Sequence, residues 1–213
     1  MKILVVGGSK HYTSWIDRAI EFLDEKIENV KEADLLFFTG GEDVSPELYN
    51  QKKHPKTYCN KTRDDYEIKF YKEALLHGIN IIGVCRGAQF LTAMQQNGCL
   101  IQHVEGHAVF SPHEILFNDG SYALATSTHH QMMWPFDVPK YELIAWASRG
   151  ISDVYEFQTH TDTVSSLPGG REPEIVYYPN TKCLAIQPHP EMMSKQSQLV
   201  LKLNDLLKEK FNL

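Results

Sequence analysis

Apolar residues follow two rhythms along the chain. Short unbroken apolar runs occur at residues 2–6 (KILVV), 34–39 (DLLFFT) and 79–84 (INIIGV). Such runs predict strands buried on both faces. Elsewhere apolar positions recur every three or four residues. Trp15, Ile16, Ala19, Ile20, Leu23 and Ile27 predict a helix, with Thr13 or Ser14 as its cap. Ile68, Tyr71 and Leu75 share one face of a helix over 64–77, with Asp64 and Asp65 favouring its start and Gly78 its end. Phe90, Leu91 and Met94 mark another over 87–97, stopped by Asn97-Gly98. Strand and helix alternate, which calls for a parallel sheet with helices on both faces.

The second half has a different texture. Residues 114–117, 122–126, 141–147, 174–178 and 183–187 read as strands without long helices between them. Residues 50–62 are polar and read as a surface loop. Residues 148–173 are rich in Gly, Ser, Asp, Thr and Pro and read as a long loop excursion. A last helix over 194–211 turns Leu199, Leu203, Leu206 and Leu207 inward. Linker signals are weak, so residues 1–213 are read as a single domain carrying that excursion.

Composition narrows the class without changing this picture. At 42% hydrophobic and 23% charged residues, the chain has enough apolar material for a full core. A net charge of −6 with no basic run disfavours nucleic-acid and anionic-membrane partners. The run Ile3 to Val6 is too short for a signal-peptide core, and no stretch has membrane-spanning length. These features predict a cytoplasmic protein. Cys59, Cys85, Cys99 and Cys183 form no C-x-x-C pair, so free thiols are expected.

The sharpest chemical signal is Gly83-Val84-Cys85-Arg86-Gly87, where a strand runs through a cysteine into a helix. This is the cysteine form of a nucleophile elbow. A tight turn lifts the sulfur above the strand ends, flanking side chains would collide with neighbours, and the helix N-terminus favours thiolate. A thiol nucleophile needs a base, and the base an orienting group. Residues 183–191 (CLAIQPHPE) supply both: His189 sits between two prolines, and Glu191 projects to the same side two residues on.

These motifs resemble the class I glutamine amidotransferase superfamily. Its G-x-C-x-G-x-Q appears as Gly83 to Gln89, and its H-P-E as His189-Pro190-Glu191. Three further segments resemble the γ-glutamyl-γ-aminobutyrate hydrolase (peptidase C26) group: GGEDVSPELY at 40–49, Arg63-Asp64 with Glu67, and STHHQ at 127–131, where Thr126-Ser127 replaces the usual Asn-Ser. The resemblance runs from about residue 34 to 193. It implies an α/β three-layer sandwich with a mostly parallel central sheet, flavodoxin-like. The N-terminal part is short for that family, so one strand is expected to be lost or reduced.

The resemblance also implies acyl transfer, with Cys85 attacking a γ-glutamyl amide and His189 and Glu191 completing a triad. The oxyanion would be held by the backbone N–H groups of Arg86 and Gly41. Gln89 lies one helical turn beyond Cys85, either holding substrate or a loop, or satisfied by an interior neighbour. His130 and Gln131 are implied as substrate-facing groups. His103, His107 and His113 match no metal-ligand spacing, so no metal is expected, and no cofactor is expected because the thiolate supplies the chemistry. Three functions compete: a stand-alone hydrolase of glutamine or a small γ-glutamyl amine, a glutaminase subunit feeding an ammonia-accepting synthetase or ligase, and a non-catalytic binding protein on the same fold.

Overall fold

The computed structural model describes residues 1–16, 21–23, 29–109 and 111–212. Along the chain run β1 (Lys2–Val6), β2 (Glu21–Leu23), β3 (Leu35–Phe38), α1 (Lys61–His77), β4 (Asn80–Val84) and α2 (Arg86–Ala93). There follow β5 (Cys99–Ile101), β6 (His103–Val104), β7 (His113–Phe117), β8 (Tyr122–Ala125), β9 (Met132–Trp134) and β10 (Glu142–Ala147). The chain closes with β11 (Tyr155–Glu156), β12 (Thr163–Val164), β13 (Pro173–Tyr178), β14 (Cys183–Ile186) and α3 (Gln198–Phe211).

Among the described residues a nine-stranded sheet has the order β2-β1-β3-β4-β14-β13-β10-β7-β8. Pairings from β2 to β14 are parallel, and those from β14 to β8 are antiparallel. The α/β sandwich holds, but the sheet is evenly mixed rather than mostly parallel. The reason is local: in the second half, hairpin-scale links replace helical crossovers, and short links join antiparallel strands.

Alternation along the central strands builds the layers. Ile3, Val5, Phe37, Ile82, Val84, Leu184 and Ile186 face one core, with Leu199, Leu203, Leu207 and Phe211 of α3. Leu4, Val6, Leu36, Phe38, Ile81 and Ala185 face the other, with Tyr71 and Ala74 of α1 and Phe90 and Leu91 of α2. The predicted strands at the ends of this sandwich and the α3 stripe are all present. Helix α1 begins at Lys61, where the Asn60 side chain accepts from Arg63 N at 3.2 Å.

Three expectations change. The helix predicted from Trp15 to Ile27 is not a continuous helix. Trp15 and Ile16 drop into the core after a 3₁₀ turn, and Glu21–Leu23 pairs with β1 as a parallel strand. Residues 17–20 and 24–28 lie outside the described residues. Apolar spacing alone does not separate a helix from a turn followed by a short strand when the neighbouring strand offers a free edge. The polar loop at 50–62 is not all surface. His54 and Thr57 are buried, their N–H and O–H donating to Gln102 Oε1 at 2.9 and 3.0 Å. The excursion at 148–173 contributes β11 and β12, which with β6 form a separate three-stranded sheet. All four cysteines are free. Among the described residues no helix is long and apolar enough to cross a membrane.

Candidate active site

Strands β4 and β14 are parallel neighbours, with Val84 opposite Ile186. Their ends therefore deliver Cys85 and, three residues past Ile186, His189 to the same edge of the sheet. Cys85 is held in a sparsely populated conformation (φ 52°, ψ −110°), and its N–H donates to Ile186 O at 2.8 Å. Strain of this kind persists only where surroundings over-determine it. Here the flanking glycines permit the approach. A Cβ on Gly83 would lie 2.4 Å from the Gly87 carbonyl carbon, and one on Gly87 would lie 2.3 Å from Phe38 O. Gly87→Ala is expected to cost about 1–3 kcal/mol, because the obstacle is backbone and cannot rotate away. Urea unfolding checks this; wild-type stability would mean the elbow has slack.

His189 Nδ1 lies 2.6 Å from Glu191 Oε1, and its backbone N–H donates to Thr126 Oγ1 at 2.6 Å. Glu191 can only accept, so Nδ1 carries a proton and Nε2 is the end directed to the sulfur. Burial acts to lower the His189 pKa. Hydrogen bonding to Cys85 and Glu191, with the charge of both, outweighs burial and raises it to about 10. A raised histidine pKa stabilises the fold fully below the unfolded value near 6.5, and that contribution disappears as pH climbs through about 10. Melting temperature should therefore fall between pH 7 and pH 10 more steeply in the wild type than in His189→Gln. Parallel curves would show that the imidazolium is not held.

A glycine turn faces this pair. Gly41 has φ 146°, and a Cβ there would lie 2.1 Å from Arg63 Nη1. Gly40 lies against His189 and the Tyr12 hydroxyl. Arg63 clamps the turn, donating to Thr39 O at 3.1 Å, Gly40 O at 3.0 Å and Glu42 Oε2 at 2.6 Å. Arg63 Nε also donates to Glu67 Oε1 at 2.8 Å. The Arg86 guanidinium is 1% exposed and pairs with Asp64 and the second oxygen of Glu67. Arg86 Nε donates to Glu42 O at 3.2 Å. One face of α1 thus anchors both the residue after the cysteine and the glycine turn. As the first residue of α2, Arg86 leaves its own N–H free of helical bonding.

The other predicted residues each have partners within the protein. Gln89 is buried, its amide donating to Gln131 O at 3.1 Å and Gln187 Oε1 at 3.4 Å. Both acceptors are themselves buried. Gln131 is 1% exposed and donates to Thr57 Oγ1 at 3.1 Å. His130 is partly exposed and pairs with Asp43 at 3.1 Å. Tyr12 goes unnoticed in the sequence. Its ring centroid lies 6.1 Å from that of His189, and burial together with the charges of Glu191 and Cys85 raises its pKa. Only a non-local contact reveals it.

A half-parallel sheet with a strained cysteine at one strand tip and a His-Glu pair at the next defines a protein of the class I glutamine amidotransferase fold. The chain belongs to the peptidase C26 family, an amide-hydrolysing enzyme family, whose pattern it matches over residues 15–166. A glutamine amidotransferase-like protein of Rickettsia prowazekii is 44% identical over 103 residues, 48% of this chain and 34% of that relative. The chain spans between 22% and 38% of the length of the curated relatives it matches, so activity is argued below from the site. A glutamine amidotransferase from Thermotoga maritima superposes with a TM-score of 0.59 at 15% identity, covering 99% of this chain and 85% of that one. A GMP synthase component from Thermoplasma acidophilum gives 0.55 at 15%, covering 100% and 92%. These structural likenesses carry the fold.

Proposed function

We propose that the protein hydrolyses a γ-glutamyl amide, in glutamine or a small γ-glutamyl amine, through a thioester on Cys85. The observation that supports this most is the convergence of Cys85, His189 and Glu191 at adjacent strand ends. The sulfur attacks the δ-carbonyl carbon and a tetrahedral oxyanion forms. The N–H groups of Arg86 and Gly41 are its proposed donors. Protonated His189 gives its Nε2 proton to the leaving amine as the C–N bond breaks. The neutral imidazole then takes a proton from water, which attacks the thioester, releasing glutamate and regenerating the sulfur. Glu191 keeps the ring in the required tautomer throughout.

The nature of the leaving amine separates two catalytic roles. A stand-alone hydrolase releases amine from γ-glutamyl amines without a partner. A glutaminase subunit, the reading favoured by likeness to a synthase component, turns over glutamine only beside its synthetase or ligase. The purified chain should be incubated with glutamine and a panel of γ-glutamyl amines, reading ammonia and free glutamate. Turnover of the panel by the chain alone is the expected result. No turnover of any amide, alone or with a partner, while Cys85 alkylates freely, would leave only the binding-protein reading.

A further inference from the structure

Behind the strand ends lies a second polar cluster that this chemistry does not use. His107, His129 and Glu174 are all buried, and each offers a ligand atom within 4.8 Å of the others. They come from three places: the loop after β6, the loop after β8, and β13. Their remaining atoms are already spoken for. His129 Nδ1 lies 2.8 Å from Gln131 O. A carbonyl only accepts, so Nδ1 carries the proton and Nε2 presents a lone pair. That Nε2 has no partner.

The neighbours repeat this pattern. The Ser127 hydroxyl donates to His107 O at 2.6 Å, leaving its oxygen to accept from His107 Nδ1 at 3.4 Å. His107 Nε2 then stands 3.3 Å from Glu172 Oε2, without hydrogen-bonding geometry. Glu174 Oε1 is engaged by His113 Nε2 at 2.7 Å, and Glu174 Oε2 is buried with no partner. Buried acceptors with no hydrogen-bond partner are costly. A cation held among His107, His129 and Glu174 would satisfy the free His129 nitrogen and the free Glu174 oxygen together.

We propose that His107, His129 and Glu174 bind a divalent transition-metal ion, zinc by the chemistry of the donors, with Glu172 and His113 as the surrounding shell. Two imidazoles and one carboxylate are a zinc-type donor set. The outward ring nitrogens are fixed by an oxygen acceptor, as metal-bound histidines require. Glu172 is held in turn by the N–H groups of Ile151 and Ser152 and the Tyr155 hydroxyl. The contrast with His54, Glu156 and His160 is instructive: there both rings bond Glu156 Oε2, and His160 is exposed. That group is complete without an ion. The ion at Glu174 would tie β13 to the two loops behind His189, whose backbone hangs from Thr126.

The test uses the full chain carrying Cys85→Ala, because the sulfur itself attracts zinc. Chelator-stripped protein is titrated with zinc against a chromophoric competitor. One ion per chain is expected. Glu174→Gln and His129→Ala should weaken binding about a hundredfold or more, while His160→Ala leaves it unchanged. No saturable uptake, or uptake untouched by the first two substitutions, overturns the site and leaves a buried water or an adventitious ion. If those variants fail to fold, cobalt(II) in the otherwise intact chain decides. Intense d–d absorption of a nitrogen- and oxygen-ligated site supports the proposal, and the spectrum of the hydrated ion overturns it.

Discussion

Cys85→Ala should reduce amide hydrolysis by about 10⁴-fold or more while changing stability by no more than about 1 kcal/mol. In the proposed reaction the sulfur both attacks the amide and carries the thioester, so its loss removes both halves. The small change in stability follows from the backbone. Cys85 sits at φ 52° and ψ −110°, which penalises alanine as it does cysteine. Glycine escapes that penalty, which is on the order of 1–3 kcal/mol, and gives back about 0.5–1 kcal/mol in chain entropy. Cys85→Gly should therefore be as inactive as Cys85→Ala but melt at a higher temperature. Retained turnover in either variant would remove Cys85 from the reaction. A glycine variant melting below the alanine variant would mean that the elbow is not strained.

Glu67→Ala should be the most destabilising single change near the site, at about 3–5 kcal/mol by urea unfolding. Its two oxygens serve different arginines, Arg63 and Arg86, and Arg86 is almost wholly buried. Burial and the neighbouring Arg63 lower the Arg86 pKa to about 10, still well above neutrality. Removing Glu67 takes one of two carboxylates from that buried charge and leaves Asp64 to hold it. Lys61→Ala supplies the comparison. It breaks an exposed pair with Asp65 and should cost no more than about 0.5 kcal/mol. Hydrolysis should fall with Glu67→Ala as well, since both the Gly40-Gly41 turn and the start of α2 hang on that carboxylate. A loss below about 1 kcal/mol would show the pairs to be unformed.

Legibility in the sequence tracks how local each cause is. The runs Ile3–Val6, Leu35–Phe38 and Ile81–Val84 are readable because a strand buried on both faces has no polar side to confuse the pattern. Leu199, Leu203 and Leu207 are readable because one stripe meets one core. Trp15 and Ile16 mislead because two adjacent apolar residues fit a turn as well as a helix. The two-residue strands β6, β11 and β12 carry no periodicity to read. Cys85, His189 and Glu191 stand out because each lies in a tightly spaced motif. The cluster of His107, His129 and Glu174 does not, since its members come from distant segments and their spacing carries no signature. Arg86 with Asp64 and Glu67 lies between these cases: the R-D-x-x-E spacing places two carboxylates on one helix face, but nothing local says which cation they meet.

The position of β14 has a consequence for how the molecule comes into being on the ribosome. It is the last strand in chain order among the described residues, yet it lies between β4 and β13 near the middle of the sheet. Until it emerges, β4 and β13 each present an unpaired edge, and the sulfur-bearing turn has no Ile186 carbonyl to hold it. Pairing β4 with β14 joins positions about a hundred residues apart, a contact of high sequence separation that slows folding. Before β14 emerges the cysteine-bearing turn lacks that support, and the open edges are the points where a growing chain would aggregate.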